Sequence, residues 1–277
     1  MDRAQRPRVR GAHVAVGLGL LIPGWIVLWA TTDFLNPLAF LLLWTGAAML
    51  MWSAHQDYPG VRRHLTLASI SVPLWWYFEA INSRTQNWEY LGRDRYDDIE
   101  FAILASLAFA TVVPALVAAT AMVSRLTLDL LPETPTQPGS RRMAIWLIAL
   151  GIVTGAATLA LPDVFYPLVW IAPFLLLDGL VILGGGNSII AELSQGARRR
   201  ASVVGAAGLL CGGLWEFWNF WAFPKWIYDI PALDFFPIFE MPILGYGGYV
   251  PFAWSVLQLV VLVDIGAKKI PGRTPTP

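Results

Sequence analysis

Three polar side chains lie within an otherwise apolar and aromatic stretch, residues 210 to 254: Glu216, Asn219 and Glu240. A carboxyl group in such surroundings is costly unless it is paired or functional. Burial among apolar rings favours its protonated form, which makes it a plausible general acid. Glu216 and Asn219 share one helix face. We therefore expect Glu216 to be the acid, Asn219 to orient it, and Glu240 to serve as its partner or as the base.

The aromatic residues around these groups indicate the kind of substrate. They are Trp215, Trp218, Trp226, Tyr228 and Tyr246. Aromatic rings stabilise a developing cation through their quadrupoles, by about 0.5 to 2 kcal/mol per contact. An acid beside such rings in a membrane favours protonation of an alkene or epoxide in an isoprenoid lipid. The alternative is that the rings form only the aromatic belt that membrane proteins place at span ends.

The same skeleton occurs earlier in the chain, from Trp76 to Leu104. Its members, in order, are Glu79, Asn82, Trp88, Tyr90, Glu100, Ile103 and Leu104, which match Glu216, Asn219, Trp226, Tyr228, Glu240, Ile243 and Leu244. The ordered set ExxN, WxY, E and IL predicts an internal duplication. Glu79, Asn82 and Glu100 therefore join the candidate catalytic residues, and Trp76 and Trp88 join the candidate substrate-binding residues. Glu100 also opens a predicted helix, where a purely capping role is an equal alternative.

The composition indicates the elements that must position these residues. Of 277 residues, 56% are hydrophobic and 14% are charged, and the apolar ones form long runs, as in a polytopic membrane protein. We predict an all-α helix bundle with about eight transmembrane helices, at residues 11–31, 36–54, 64–83, 99–124, 142–161, 164–186, 202–222 and 240–266. The first span lacks a convincing cleavage site, so it is predicted to be a retained helix.

Basic residues indicate the orientation, since they favour cytoplasmic loops. With the N terminus inside, only Arg84, Arg93, Arg95 and Lys225 fall outside. We therefore predict a multi-pass protein of the cell membrane with both termini cytoplasmic. The sequence contains no zinc, Walker or dinucleotide-binding motif. We expect no cofactor, no metal and no nucleic-acid partner; the partners are the bilayer and a membrane lipid or isoprenoid substrate. The oligomeric state is not indicated.

A Pro- and Thr-rich segment, residues 128–140, divides the chain into two halves. We predict a first four-helix repeat at 1–127, a cytoplasmic linker at 128–140 and a second repeat at 141–277 that carries the main site. Four spans each make the repeats parallel, so both ExxN motifs lie on the outer side. We expect one outer-leaflet cavity, lined by Glu79, Asn82, Glu216, Asn219 and Glu240 with Trp215, Trp218, Trp226 and Tyr246.

The acidic residue late in one helix, the WxY loop and the acidic residue opening the next helix, in two copies, resemble the membrane-integral lycopene cyclases and, more distantly, the fungal meroterpenoid cyclases. The resemblance covers residues 76–104 and 213–244. It implies intramembrane carboxyl groups that protonate a polyene or epoxide without a nucleotide cofactor. Where those lycopene cyclases carry Pro before paired acidic residues, this chain has Asp98, Ile99 and Glu100 in one copy and Phe239 and Glu240 in the other.

The competing class is a carrier or binding protein for a lipid or small molecule. Parallel repeats with polar residues near a pseudo-symmetry axis are also a transporter architecture. Asp178 would then be an inner relay for a cation or an amine. A structural hydrogen bond to a neighbouring helix is the simpler account of Asp178. A transporter also requires a polar path to both faces, whereas the polar residues here lie chiefly on the outer side.

Overall fold

The computed structural model describes residues 6–32, 34–55, 58–127, 130, 132–231 and 235–268. The chain folds into an all-α bundle with two short β-ribbons. The extreme residues of both predicted cytoplasmic termini and part of the predicted linker lie outside the described residues.

The first half contributes helices separated by short turns. They are α1 (Arg6–Ala30), α2 (Leu38–His55), α3 (Val61–Thr85), α4 (Asp98–Phe109) and α5 (Val112–Leu126). The second half contributes α6 (Arg141–Ala160), α7 (Pro162–Phe165), α8 (Leu168–Leu183), α9 (Ile189–Ser194), α10 (Arg199–Phe220) and α11 (Tyr249–Lys268). The predicted linker ends where α6 begins, and the Ser140 side chain caps that helix by accepting from the backbone N–H of Met143 at 3.1 Å.

Two ribbons follow the helices that carry the ExxN motifs. Strand β1 (Trp88–Leu91) of the first half pairs antiparallel with strand β2 (Lys225–Tyr228) of the second half. The second ribbon joins β3 (Pro237–Ile238) to β4 (Met241–Pro242), and a 3-10 segment, Ile243–Gly248, leads from it into α11. Sequence reasoning treated these segments as loops, because strands this short carry no periodic signal.

Among the described residues, five helical segments are long and apolar enough to cross a membrane. They are Gly11–Ala30, Asp98–Leu126, Arg141–Ala160, Arg199–Phe220 and Ile243–Lys268. This confirms that the described part of the chain is helical, with five segments that could cross a membrane by length and composition. The span predicted at 99–124 is interrupted at Ala110 and Thr111, between α4 and α5.

The remaining three predicted spans correspond to α2, α3 and α8, which lie outside that group. The apolar parts of α2 and α8, Leu38–Ala54 and Leu168–Leu183, are shorter than the length that spans a bilayer. Helix α3 is long, but its polar residues, among them Arg62, Arg63 and Glu79, lower its hydropathy. The count of eight spans therefore stays a prediction.

Glycines allow α1 to cross α2 closely in the first half and α6 to cross α8 closely in the second. A Cβ on Gly46 of α2 would lie 2.7 Å from the carbonyl oxygen of Gly17 in α1. A Cβ on Gly179 of α8 would lie 2.8 Å from the carbonyl oxygen of Ala144 in α6. Small residues at helix crossings permit backbone contact in membranes. The α1–α2 and α6–α8 pairs thus pack by the same device.

One hydrophobic core joins the two halves. It contains Leu43, Phe78 and Val113 from the first half together with Trp218 and Val256 from the second, all with at most 3% of their surface exposed. At the end of the bundle opposite the ribbons, Arg63 of α3 forms a two-pronged salt bridge with Asp264 of α11, at 2.5 and 2.7 Å. Bidentate geometry of this kind orients both groups. The halves are therefore held together at the core and at this end of α11.

Candidate active site

The ribbon between β1 and β2 brings the two WxY motifs side by side. Trp88 lies opposite Tyr228, and Tyr90 lies opposite Trp226. Alternate residues of a strand share a face, and directly opposed residues lie on the same side. All four aromatic side chains therefore lie on one face of the ribbon. The pairing exchanges Trp and Tyr between strands, as a two-fold relation between the two motifs requires.

Each asparagine of the ExxN motifs fixes the backbone of the strand that follows it. Asn82 Nδ2 donates to the Trp88 carbonyl at 2.7 Å, and the Trp88 N–H donates to Asn82 Oδ1 at 3.2 Å. Asn219 makes the same two bonds with Trp226, at 2.7 and 3.0 Å. The sequence expectation that Asn219 orients Glu216 directly is replaced by this finding: its amide is occupied by the Trp226 backbone.

Glu216 forms the centre of the second half. Its side chain is fully buried, and its Oε1 accepts hydrogen bonds from Tyr228 at 2.6 Å and from Tyr249 at 2.5 Å. The Trp226 indole N–H donates to the Tyr228 hydroxyl at 2.9 Å. The other carboxyl oxygen, Oε2, is buried without a partner among the described residues. A buried polar atom without a protein partner is uncommon.

Glu79 forms the corresponding centre of the first half. Its Oε1 accepts from the Tyr90 hydroxyl at 2.6 Å, from Trp75 Nε1 at 3.0 Å and from Trp88 Nε1 at 3.2 Å. The Glu79 side chain is only half-buried. Both centres thus combine a helix carboxyl group with the tyrosine of the following strand, but the third residue differs between them.

The strand tyrosines remain protonated. Burial raises the pKa of Tyr90 and of Tyr228 well above the ordinary value, and the neighbouring Glu79 and Glu216 carboxyl groups raise it further. A phenol that keeps its proton can donate a hydrogen bond and can also accept one. Each tyrosine can therefore pass a proton onward while it keeps one itself.

A cavity of about 130 Å³ lies against the aromatic face of the ribbon. Its wall combines both halves and is built mainly of rings, among them Phe40, Trp44, Trp75, Trp88, Tyr90, Phe101, Phe109, Trp170, Trp215, Trp226, Tyr228 and Tyr249. Of the predicted substrate-binding residues, Trp88, Trp215, Trp226 and Tyr228 are in this wall. Two cationic side chains, Arg93 and Lys225, also line it.

The predicted carboxyl and amide groups lie outside the cavity wall. Glu79, Asn82, Glu216, Asn219 and Glu240 are not among its lining residues. The two glutamates are instead hydrogen-bonded to tyrosines that do line it, Tyr90 for Glu79 and both Tyr228 and Tyr249 for Glu216. Sequence reasoning placed these groups in the wall because it could not anticipate the ribbon, whose side chains come between.

The other candidate residues have separate partners. Glu100 forms a capping box with Asp97 at the start of α4, which is the structural alternative named above. Glu240 forms an ion pair with Lys225, with each side chain about one-fifth exposed. Trp218 is 1% exposed and packs on Trp44.

Tyr246 and Trp76 also form hydrogen bonds away from the cavity. The Tyr246 hydroxyl donates to the Ile238 carbonyl at 3.0 Å, and Trp76 Nε1 donates to Ser106 Oγ at 2.9 Å. Neither residue lines the cavity. The structure therefore gathers the WxY residues, the two glutamates and Trp215 at one place, and it places Glu100, Trp218, Tyr246 and Trp76 elsewhere.

Tyr249, Trp75 and Trp170 are parts of the site that the sequence did not single out. Tyr249 is the last residue of the glycine-rich run GYGGY, residues 245–249. Trp75 lies one helical turn before Glu79, a spacing that could have identified it. Trp170 of α8 stacks on Trp88 with ring centroids 6.1 Å apart, and this long-range contact has no local sequence signal.

Asp178 of α8 accepts hydrogen bonds that hold neighbouring segments in place. It is fully buried and accepts from Ser188 Oγ at 2.6 Å and from the backbone N–H groups of Ile189 and Ile190 at 2.8 and 3.1 Å, and Gln258 Nε2 also donates to it. This agrees with the hydrogen bond to neighbouring segments expected as the simpler account. Among the described residues, no group of His, Cys, Asp and Glu side chains is placed to hold a metal ion.

The fold and the site together define an all-α bundle with membrane-length apolar helices, in which two carboxyl–tyrosine pairs flank one aromatic cavity. No protein-family model, curated protein or solved structure matches the chain.

Proposed function

We propose that this protein is a membrane-embedded enzyme that acts on an isoprenoid or similar apolar lipid by proton transfer from a carboxyl group, as a cyclase or isomerase does. The observation that carries the proposal is the aromatic cavity whose tyrosines are hydrogen-bonded to the half-buried Glu79 and to the buried Glu216. This arrangement provides a proton source beside a space that is lined mainly by aromatic rings.

The aromatic wall suits a cationic intermediate. The ring centroids of Trp75 and Trp215 lie 4.7 Å apart, and those of Trp215 and Trp226 lie 5.9 Å apart. Ring faces and edges therefore surround the cavity closely. Protonation of an alkene or epoxide creates a positive charge on carbon, and ring quadrupoles stabilise such a charge. Rings also exclude water, which would otherwise trap the cation.

The size of the cavity indicates how the lipid binds. Pockets that enclose drug-sized ligands hold roughly 300 to 1,000 Å³, whereas this cavity holds about 130 Å³. Its size therefore suits one end group of a lipid rather than a whole lipid chain. A terminal isoprene unit has the chemistry that an acid can activate.

Matching contacts support the duplication on which this site would rest. Asn82 and Asn219 make the same pair of backbone bonds, and the ribbon pairs Trp88 with Tyr228. In the proposed architecture, two parallel four-helix repeats give eight spans in the cell membrane, with both termini cytoplasmic. Three of these spans are α2 and α8, whose apolar parts are short, and α3, which is long but more polar.

A carrier is the competing function, and the surroundings of Asp178 bear on it. A carrier needs a polar path from the outer site to the cytoplasmic face. Asp178, the candidate relay, is fully occupied by donors from α9 and α11 and is not a lining residue of the cavity. An apolar cavity beside two carboxyl centres therefore favours chemistry over transport.

Mass spectrometry of co-purified lipids tests the proposal. Wild-type protein, Glu216→Gln and the matched control Glu100→Gln would be purified from cells that make isoprenoids. Gln preserves the capping role at position 100. We expect Glu216→Gln to retain an isoprenoid that the wild type and the control convert to an isomer. An identical lipid in all three samples, or no bound lipid, would contradict the enzymatic proposal.

A further inference from the structure

We infer that the two glutamates have opposite roles: Glu216 holds the proton that is given to the lipid, and Glu79 is the ionised partner that takes a proton back. This inference rests on the proposed function and assigns the direction of proton flow through its site. It depends on the different hydrogen-bond partners of the two carboxyl groups.

The hydrogen-bond partners of Glu79 are all donors, so its carboxyl oxygen must act as an acceptor. Trp75 and Trp88 both direct an indole N–H at Oε1, and an indole N–H can donate but cannot accept. With Tyr90 as a third donor, this oxygen receives three hydrogen bonds. Several donors on one carboxyl oxygen stabilise the carboxylate. The side chain is also only half-buried, which lowers the cost of its charge.

The partners of Glu216 suit a neutral carboxyl group. Both groups that contact Oε1 directly, Tyr228 and Tyr249, are hydroxyls, which reorient to donate or to accept. The buried Oε2 has no partner among the described residues. An unpaired buried oxygen costs more free energy when the group is charged than when it is neutral. The proton therefore belongs on Glu216.

An exchange of two residues between the halves produces this difference. One turn before the glutamate, the first half has Trp75 and the second half has Gly212. After the second acidic residue, Phe109 follows Glu100 by the same interval as Tyr249 follows Glu240. A Cβ on Gly212 would lie 2.3 Å from the Tyr249 ring, so the phenol occupies space that an indole would need. A fixed N–H donor in one half is thus replaced by a hydroxyl in the other.

The resulting proton transfer balances. The Tyr249 hydroxyl gives its proton to a lipid carbon or epoxide oxygen, while Glu216 gives its proton to the Tyr249 oxygen and becomes a carboxylate. The cation rearranges and then loses a proton from a neighbouring carbon to the Tyr90 oxygen, while Tyr90 passes its own proton to Glu79. The lipid is isomerised with no net change in protons, and exchange with water restores both glutamates.

Infrared spectroscopy tests the assignment without any turnover. Protonated and ionised carboxyl groups absorb in different regions, and glutamate labelled with ¹³C identifies the bands. At neutral pH, we expect the Glu216→Gln variant to lack a protonated-carboxyl band that the wild type shows. The Glu79→Gln variant should instead lack a carboxylate band that the wild type shows. Loss of the protonated band in Glu79→Gln, or in neither variant, would overturn the assignment.

A second pair of variants covers the case in which a glutamine variant misfolds. Tyr249→Phe removes one partner of Glu216, so the protonated-carboxyl band should shift. Tyr166→Phe should leave it in place, because the Tyr166 hydroxyl donates to the Pro231 carbonyl, away from the cavity lining. Equal spectra for both variants would count against the assignment. The expected bands without lipid conversion would instead refute the proposed function alone.

Discussion

Trp88 and Tyr228 lie opposite each other in the ribbon, yet they serve different carboxyl groups: Trp88 Nε1 donates to Glu79, and the Tyr228 hydroxyl donates to Glu216. The backbone N–H and C=O of Trp88 are bonded to Asn82, so the pairing of β1 with β2 holds Trp88 opposite Tyr228 through the neighbouring residues of the two strands. The ribbon therefore couples the geometry of the two centres, and the asparagines that hold its strands act on both.

The first prediction concerns that support. Asn219→Leu would leave the Trp226 N–H and carbonyl without their partners, and each lost bond of a buried group costs about 1 to 3 kcal/mol. We expect the unfolding free energy to fall by about 3 kcal/mol. Glu216→Gln keeps the shape of the side chain and can keep its hydrogen bonds to the Tyr228 and Tyr249 hydroxyls. Its unfolding free energy should therefore fall by only about 1 kcal/mol. Denaturant unfolding in detergent measures both, and equal losses would mean that Glu216 is as structural as Asn219.

The second prediction separates chemistry from packing at Tyr249. Tyr249→Phe keeps the ring in the cavity wall and removes only the hydroxyl that contacts Glu216. We expect lipid conversion to fall about 100-fold, the lower range for loss of a general acid, with only about 1 kcal/mol of stability lost. Tyr166→Phe is the control, because it removes a hydroxyl that is bonded to a loop carbonyl rather than to a glutamate. Comparable conversion by both variants would exclude Tyr249 from proton transfer.

The third prediction concerns Asp178. Asp178→Ala removes the acceptor for Ser188, Ile189 and Ile190 at the start of α9, which should cost about 3 kcal/mol of unfolding free energy. At a temperature where the variant is still folded, lipid conversion should match the wild type. Loss of conversion in folded protein would show that Asp178 belongs to a relay, as a carrier would require.

The sequence predicted that the ExxN and WxY motifs of the two halves correspond, because their residue types and order repeat within the chain, but it treated the WxY segments as loops rather than paired strands. It also identified Glu216 and Glu79 as unusual, since a carboxyl group in an apolar helix is rare. It did not predict that Asn219 binds the Trp226 backbone or that Tyr249 reaches Glu216. Those contacts depend on a four-residue strand and on the space beside Gly212, and neither leaves a periodic pattern in the sequence.

The fourth prediction is topological. In a Cys211→Ala background, cysteines introduced at Ser83 and Asp229 should react with an impermeant reagent from outside, because both positions lie at the ribbon end of the bundle beside β1 and β2. A cysteine at Ser140, the cap of α6, should react only after permeabilisation. Reaction of position 140 in intact cells would contradict parallel repeats.

The fifth prediction uses two adjacent glycines of α10 that differ in their surroundings. A Cβ at Gly212 would meet the Tyr249 ring at 2.3 Å, whereas a Cβ at Gly213 would have nothing within 4 Å. Gly212→Ala must displace the Tyr249 ring and with it the hydroxyl on Glu216. We expect a loss of about 1 to 3 kcal/mol from overpacking and a fall in lipid conversion similar to that of Tyr249→Phe.

Gly213→Ala is the matched control for this fifth prediction, since it makes the same chemical change one residue away. Replacing a glycine within a helix by alanine should raise stability by roughly 0.5 to 1 kcal/mol, because the unfolded chain loses freedom. Conversion should be unchanged. Because the two variants share composition and helix, a difference between them measures the position of the Tyr249 ring. Equal conversion by Gly212→Ala and Gly213→Ala would show that the hydroxyl of Tyr249 need not lie against Glu216.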